Sequence, residues 1–165
     1  MKNKKDASKN SAVFWKMAKD YVDHRLPEIR KASPNTITSY RDSLNKYIDY
    51  LESEKNVLRT DISFSDLNKS NIIDYLEWML NVKKYAYKTC NLRITAIHAL
   101  LEYAANENST DLMAIYLEAN TVKGLKVTSN PIEYFEGYQM KALLAAPDEK
   151  TRTGRRNQMM LILYY

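Results

Sequence analysis

The chain has 165 residues, of which 45% are hydrophobic, which is enough for one ordinary domain or for one domain and part of a second. Its single cysteine, Cys90, excludes an internal disulfide and a metal site built from several cysteines, and the two histidines show no metal-ligand spacing, so we expect no metal. The net charge of +5 is compatible with nucleic acid as a partner but does not require it.

Glycine is absent from residues 1–123, and all three glycines, Gly124, Gly137 and Gly154, fall in the last third of the chain. A β-rich domain needs many tight turns, and these turns usually need glycine. The composition therefore predicts an all-α fold for the first 123 residues.

The first half of the chain contains two predicted helices. Residues 1–10 are rich in lysine and asparagine and are expected to form a basic, disordered tail. Apolar residues then recur at helical spacing until Pro27, which we expect to end or kink this first helix. The second helix has the clearest start in the chain, because Ser33 can cap it and Pro34 suits its first position. Its apolar stripe consists of Ile37, Tyr40, Leu44, Tyr47, Ile48 and Leu51.

Three further helices are predicted before a linker. A connection at 55–67 should place Val57, Ile62 and Phe64 against the core. A third helix begins near Asn68, with an apolar side formed by Ile72, Ile73, Leu76, Met79 and Leu80. The fourth runs from about Tyr87 to Asn106, and its apolar stripe consists of Cys90, Ile94, Ile97, Leu101 and Ala104. A short fifth helix is expected around 110–119, and we place the first domain at 11–120.

The last part of the chain changes in composition. Gly, Pro, Ser and Asn occur close together in 121–134, which predicts an extended linker. Residues 135–165 then predict a short helix ended by Pro147, a basic loop, and an apolar helix at the end. That last apolar run, 159–165, is too short to span a bilayer, and the polar N-terminus lacks the apolar stretch of a signal peptide. We therefore expect a cytoplasmic protein without a membrane partner.

Three stretches, in this order, resemble the tyrosine recombinase (phage integrase) family. The segment SPNTITSYRDSLNKYIDYL (33–51) is similar to the family's opening Ser-Pro-x-Thr-x-x-x-Tyr helix. The segment YKTCNLRITAIHALLEYA (87–104) is similar to its Thr-x-Asn-x-Arg-Leu-x-Ala-Leu helix. The segment at 135–165 resembles the start of its catalytic domain, with Gly-Arg-Arg before an apolar helix. Two departures are the missing Ser-Pro before the fourth helix and His98, where the family frequently has arginine or lysine.

The resemblance implies a SAM-like core-binding bundle of four to five helices, followed by a linker and the first helices of a truncated catalytic domain. In the family, a tyrosine attacks a DNA phosphodiester to form a covalent intermediate, without a metal or nucleotide cofactor. The arginine turn and the nucleophile of the family lie further along than Tyr165. We therefore expect no catalytic residue here, and a chain that binds DNA but does not cut it.

The resemblance also implies partners, namely double-stranded DNA and other protomers of the full-length recombinase, and no small-molecule substrate. Helical geometry agrees at the fourth helix, where Lys88, Asn91, Leu92 and Thr95 lie opposite the apolar stripe. Such a helix fits the major groove. The expected DNA-binding residues are Asn35, Thr36, Thr38, Ser39, Arg41, Lys88, Thr89, Asn91, Arg93, Thr95, Lys123, Lys126, Arg152 and Arg155.

Each of these residues also has a structural alternative. Thr36 could serve only in the cap of its helix, Arg41 could pair with a neighbouring acid, and the lysines could be ordinary surface charge. Two other functions remain open from the sequence: a helical protein–protein interaction module with a basic surface, and a stand-alone DNA-binding regulator. Alternating charge favours contact with a polyanion on particular faces, since residues 82–105 carry a net +3 while 32–81 carry −3.

Overall fold

The computed structural model describes the backbone of residues 4–108, 110–127 and 134–164. These residues form helices, turns and irregular segments without a strand, which confirms the predicted all-α fold. The chain divides into two compact units, 1–127 and 128–165, and the division falls inside the predicted linker. Residues 128–133 of that linker lie outside the described residues.

Over the residues that the structure describes, the first unit is a bundle of five α-helices. They are α1 (Lys4–Asp20), α2 (Pro34–Lys55), α3 (Lys69–Asn81), α4 (Tyr87–Asn108) and α5 (Thr110–Ala119). A π-helical segment, Tyr21–Ile29, follows α1, and two short 3-10 turns, Arg59–Asp61 and Phe64–Leu67, connect α2 to α3. Among the described residues, no helix combines the length and apolar character that crossing a bilayer requires.

The first helix differs from its prediction at both ends. It begins at Lys4, so residues 4–10 are helical where the sequence predicts a disordered tail; they contain neither proline nor glycine to prevent this. At the other end Pro27 lies inside the π-helical segment. Proline has no N–H and its ring clashes with the carbonyl four residues earlier. The wider winding accommodates it, and Arg30 N–H donates to the Arg25 carbonyl oxygen at 3.0 Å.

The helix ends explain how the bundle forms without glycine before residue 124. Ser33 caps α2 as predicted, since its Oγ accepts from Thr36 N–H at 3.2 Å with Pro34 at the first helical position. The chain reverses after the helical segments at Lys31, Asn56 and Lys84, which have φ values of 51°, 54° and 54°. These three residues take the left-handed conformation that glycine usually provides.

The core lies between the helices of this first unit. The five predicted stripe residues of α4 are all 3% exposed or less. Ile62 and Phe64 are buried as predicted, and Val57 packs partly buried against the core. On α3 the prediction was wrong at Ile73, which is 37% exposed, and it omitted Tyr75, which is fully buried. Tyr75 packs edge-on against Tyr47, with ring centroids 5.0 Å apart, because the aromatic side chains of α2 and α3 fill this part of the core.

The second unit contains α6 (Gly137–Ala145) and α7 (Arg152–Tyr164). The loop predicted between Pro147 and the last helix is shorter than expected, because α7 already begins at Arg152. Thr151 starts the helix early: its Oγ1 accepts from Gly154 N–H at 2.9 Å, which satisfies a donor of the first turn. Glycine is needed at 154 by close approach, since an added Cβ would lie 1.9 Å from the Asp148 carbonyl oxygen.

Candidate DNA-binding surface

The outward face of α4, which we define as Lys88, Leu92 and Thr95, is exposed to solvent. It lies opposite the buried stripe that includes Cys90 and Ile94, as the helical spacing predicted. Leu92 is 42% exposed, so this face presents an apolar side chain between a cation and a hydroxyl. A lysine and a threonine can contact phosphate or base edges, and an aliphatic side chain can contact a thymine methyl group.

Three other predicted residues of α4, Thr89, Asn91 and Arg93, are half-buried on its flanks. The prediction that Asn91 lies on the outward face with Lys88 was wrong, because its side chain is turned to the backbone of Leu125. The Asn91 side-chain amide donates to the Leu125 carbonyl oxygen at 2.8 Å, and its Oδ1 accepts from Leu125 N–H at 2.7 Å. The Arg93 guanidinium lies over the Tyr85 ring, 4.1 Å from its centroid. Asn91 and Arg93 are thus in contact with other parts of the first unit.

At the start of α2, Asn35, Thr36 and Thr38 are exposed and Ser39 is half-buried. Thr36 belongs to the cap, because its N–H and its hydroxyl both contact Ser33 Oγ, at 3.2 and 2.9 Å. Of the two alternatives for Arg41, the structure contains the ion pair, with Arg41 Nη2 3.0 Å from Asp23 Oδ1. Both residues of this pair are more than a third exposed, so the pair contributes little to stability.

The structure does not bring the two predicted clusters together. Arg30, just before α2, pairs with Glu102 late in α4 at 3.9 Å. Further along α2, the charge of Lys46 lowers the pKa of Tyr85, which lies just before α4. The two helices are therefore antiparallel. At about 1.5 Å per residue, the start of α2 lies about 20 Å along the helix pair from Lys88.

The remaining predicted residues lie at the linker and in the second unit. Lys123 and Lys126 are exposed at the end of the first unit. Arg152 and Arg155 are exposed on the first turns of α7, together with Arg156. Because a helix rather than a loop carries them, Arg152, Arg155 and Arg156 have the spacing of one helical side.

Sequence reasoning missed a group of cations around the loop between α3 and α4. This loop, which we call the basic loop (residues 82–86), contains Lys83 and Lys84, both exposed. The Lys83 ammonium lies 4.9 Å from the centroid of the Trp78 ring. The hydrogen-bonding Arg93 guanidinium lowers the pKa of Tyr85 below its usual value, and the charges of Lys46 and Lys83 act in the same direction. The signal was present in the sequence as Lys-Lys within a block of net positive charge.

The chain is similar to known proteins over most of its length. Residues 19–108 match the family model described as phage integrase, N-terminal SAM-like domain. The chain is 30% identical over 142 residues to y4rC of Sinorhizobium fredii, named as an integrase/recombinase; the match covers 84% of this chain and 42% of that protein. It is 24% identical over 149 residues to y4rD of the same organism, also named as an integrase/recombinase, with 88% and 52% covered.

A third relative comes from another organism. The chain is 27% identical over 163 residues to the tyrosine recombinase XerC of Chlamydia caviae, with 88% of this chain and 49% of that protein covered. The chain spans about half the length of the curated relatives it matches. No solved structure matches it significantly. The family match covers more than half of the residues, and the first unit is a helical bundle, as a SAM-like domain should be. The chain therefore belongs to the phage integrase family of tyrosine recombinases.

Proposed function

We propose that this chain binds double-stranded DNA through the outward face of α4 and the basic loop. The observation that carries the proposal is the placement of Lys83, Lys84 and Lys88 within six residues, all exposed, where the basic loop leads into α4. An α-helix with its side chains has the width of the major groove, and lysines beside it can reach the phosphates that border the groove.

The exposed start of α2, Lys123 and Lys126 are proposed as additional phosphate contacts. Asn35 and Thr38 are short polar side chains near the first backbone N–H groups of α2, an arrangement that favours an anion. Arg152 and Arg155 are proposed to contact DNA from the second unit. In this proposal Thr89, Asn91 and Arg93 support α4 from its flanks, and the exposed lysines make the direct contacts.

We further propose that the chain is the DNA-binding part of a recombinase that cleaves and rejoins DNA together with other protomers, and that these 165 residues do not cleave DNA. Several tyrosines are unsuited to act as nucleophiles. Tyr21, Tyr47 and Tyr75 are buried, and burial raises the pKa of all three, to about 12 for Tyr21. A raised pKa disfavours the phenolate that would attack phosphorus.

A salt titration of DNA affinity tests this proposal. Fluorescence anisotropy of a labelled duplex should give an association constant whose logarithm falls linearly with the logarithm of salt concentration, by about 0.9 for each phosphate neutralised. A protein–protein interaction module would bind the duplex weakly and without this slope. A second assay uses a nicked suicide substrate, from which we expect no covalent protein–DNA adduct; an adduct would contradict the proposal that this chain does not cleave.

A further inference from the structure

The chain continues from α5 along one flank of α4. We call residues 119–125 the linker base. Val122 is 8% exposed, and Leu125 packs partly buried against the core. Val122 N–H donates to the Ala119 carbonyl oxygen at 3.0 Å, and Thr121 N–H donates to that of Glu118 at 3.2 Å. The first half of the segment predicted as a linker is therefore folded onto the first unit.

Two residues of α4 contact the backbone of the linker base. Asn91 makes the two hydrogen bonds with Leu125, and the half-buried His98 interacts with the backbone of Ala119. Asn91 and His98 are seven residues apart, about two helical turns, so they lie on the same side of α4 about 10 Å from each other. The linker base therefore runs antiparallel to α4, from His98 back to Asn91.

The asparagine is well suited to this contact. Its side-chain amide offers one acceptor and a donor in one plane, which matches the N–H and carbonyl of a single peptide residue. Gly124, the first glycine in the chain, lies directly beside it: a Cβ at position 124 would be 3.1 Å from Asn91 Oδ1. The φ of Gly124 is not positive, so close approach of the asparagine, and not backbone conformation, favours glycine here.

We propose that Asn91 is a positioning residue that fixes the start of the linker to the helix proposed to bind DNA. The inference rests on the proposed function, because it couples the linker to the DNA-contacting helix of that proposal. The two hydrogen bonds of Asn91 hold the chain against α4 as far as Leu125. The position of α4 therefore determines the direction in which the linker leaves the first unit. The sequence predicts Asn91 as a DNA contact. In the structure, its amide N–H and its Oδ1 both hydrogen-bond to the backbone of Leu125.

Amide hydrogen exchange at Leu125, measured by NMR on the full chain without DNA, tests the proposal. The Leu125 amide should be protected in the wild type, and Asn91→Ala should accelerate its exchange by about tenfold or more, since the acceptor is lost. Asn91→Asp keeps an acceptor for Leu125 N–H but cannot donate to the carbonyl oxygen, so an intermediate acceleration is expected. Thr89→Ala, which lies on the opposite flank of the same helix by its spacing from Asn91, is the matched control and should leave the exchange unchanged.

A second variant covers the case in which Asn91→Ala perturbs α4 itself. Gly124→Ala lies outside the helix and puts a Cβ 3.1 Å from Asn91 Oδ1, so the amide must shift slightly. We expect a smaller acceleration of Leu125 exchange than in Asn91→Ala, while the amides of Ile97 and Leu101 stay protected. Unprotected Leu125 in the wild type, or unchanged exchange in both Asn91→Ala and Gly124→Ala, would overturn the proposal.

The DNA affinities separate this inference from the proposed function. If Asn91 acts only as a positioning residue, Asn91→Ala should retain the base selectivity of the wild type. Lost selectivity with unchanged Leu125 exchange would assign the asparagine to DNA and refute the positioning role. If the wild type binds no duplex, the proposed function fails while the exchange result still reports on the contact between Asn91 and the linker base.

Discussion

His98 shows at the scale of one residue how the first unit depends on an uncharged side chain. The imidazole is half-buried between α4 and the linker base. Burial lowers its pKa below the usual value of 6.5; the hydrogen bond with the Ala119 backbone opposes this shift, and the charge of Lys123 adds to it. The folded chain therefore keeps His98 neutral at pH values where the unfolded chain already binds a proton.

This difference predicts a pH dependence of stability. In the unfolded state His98 protonates near pH 6.5, and in the folded state it protonates only at lower pH. The unfolded state thus binds more protons as the pH falls through about 6.5, and the free energy of unfolding decreases. His98→Gln should remove this part of the loss. Urea unfolding at about pH 7.5 and about pH 5.5 should show a larger decrease for the wild type than for the variant; parallel decreases would contradict the assignment.

Asn91 and Arg93 show what a helical pattern cannot supply. The spacing of α4 depends only on about 100° of rotation per residue, and it correctly predicts the exposed side at Lys88, Leu92 and Thr95 but not the half-buried position of Asn91. It does not predict the partners of Asn91 and Arg93. Leu125, which holds the Asn91 amide, is 34 positions away in the sequence, and Tyr85 lies in a loop before the helix. Whether a polar residue on the flank of a helix is exposed or bonded to another residue depends on segments that are distant in the sequence.

The start of α2 is the helix end that the sequence predicts most clearly, and it permits a quantitative test. Ser33→Ala removes the oxygen that accepts from Thr36 N–H, so the free energy of unfolding should fall by about 1 kcal/mol. Thr38→Ala is the control on the same helix; it is exposed and should cause no loss, since alanine has the higher helix propensity. Chemical unfolding followed by circular dichroism measures both. Equal stability of Ser33→Ala and the wild type would refute the role of the cap.

Other elements could be predicted only in part. The existence of α2, α3 and α4 follows from long apolar stripes, whose burial against each other overrides weak local preferences. The π-helical segment around Pro27 could not be predicted in this way. A proline usually interrupts a helix, and the sequence alone does not show that the chain continues through it with a wider helical turn. The start of α7 at Arg152 was missed because its cap, Thr151, resembles any loop threonine until its bond to Gly154 N–H is seen.

For the whole molecule, the composition predicts the fold class and the resemblance predicts the bundle. Neither predicts which helices lie side by side, or which exposed residues share one surface. The antiparallel course of α2 and α4 separates the two clusters of predicted contacts. It also lets the charge of Lys46, from an acidic stretch of the sequence, lower the pKa of Tyr85 in the basic loop. Which cations share a surface is a property of packing between distant segments, so it could not be read from the charge of consecutive blocks.

The central claim is that the molecule binds DNA where the basic loop meets α4, and charge reversal at one lysine tests it most directly. Lys88→Glu and Lys69→Glu change the net charge by the same amount, but Lys69 begins α3, about 20 Å from the basic loop at its other end. Duplex affinity, measured at one salt concentration, should fall by about tenfold for Lys88→Glu and little for Lys69→Glu. Equal losses for the two variants would mean that net charge alone attracts the DNA, and would contradict a defined surface at α4.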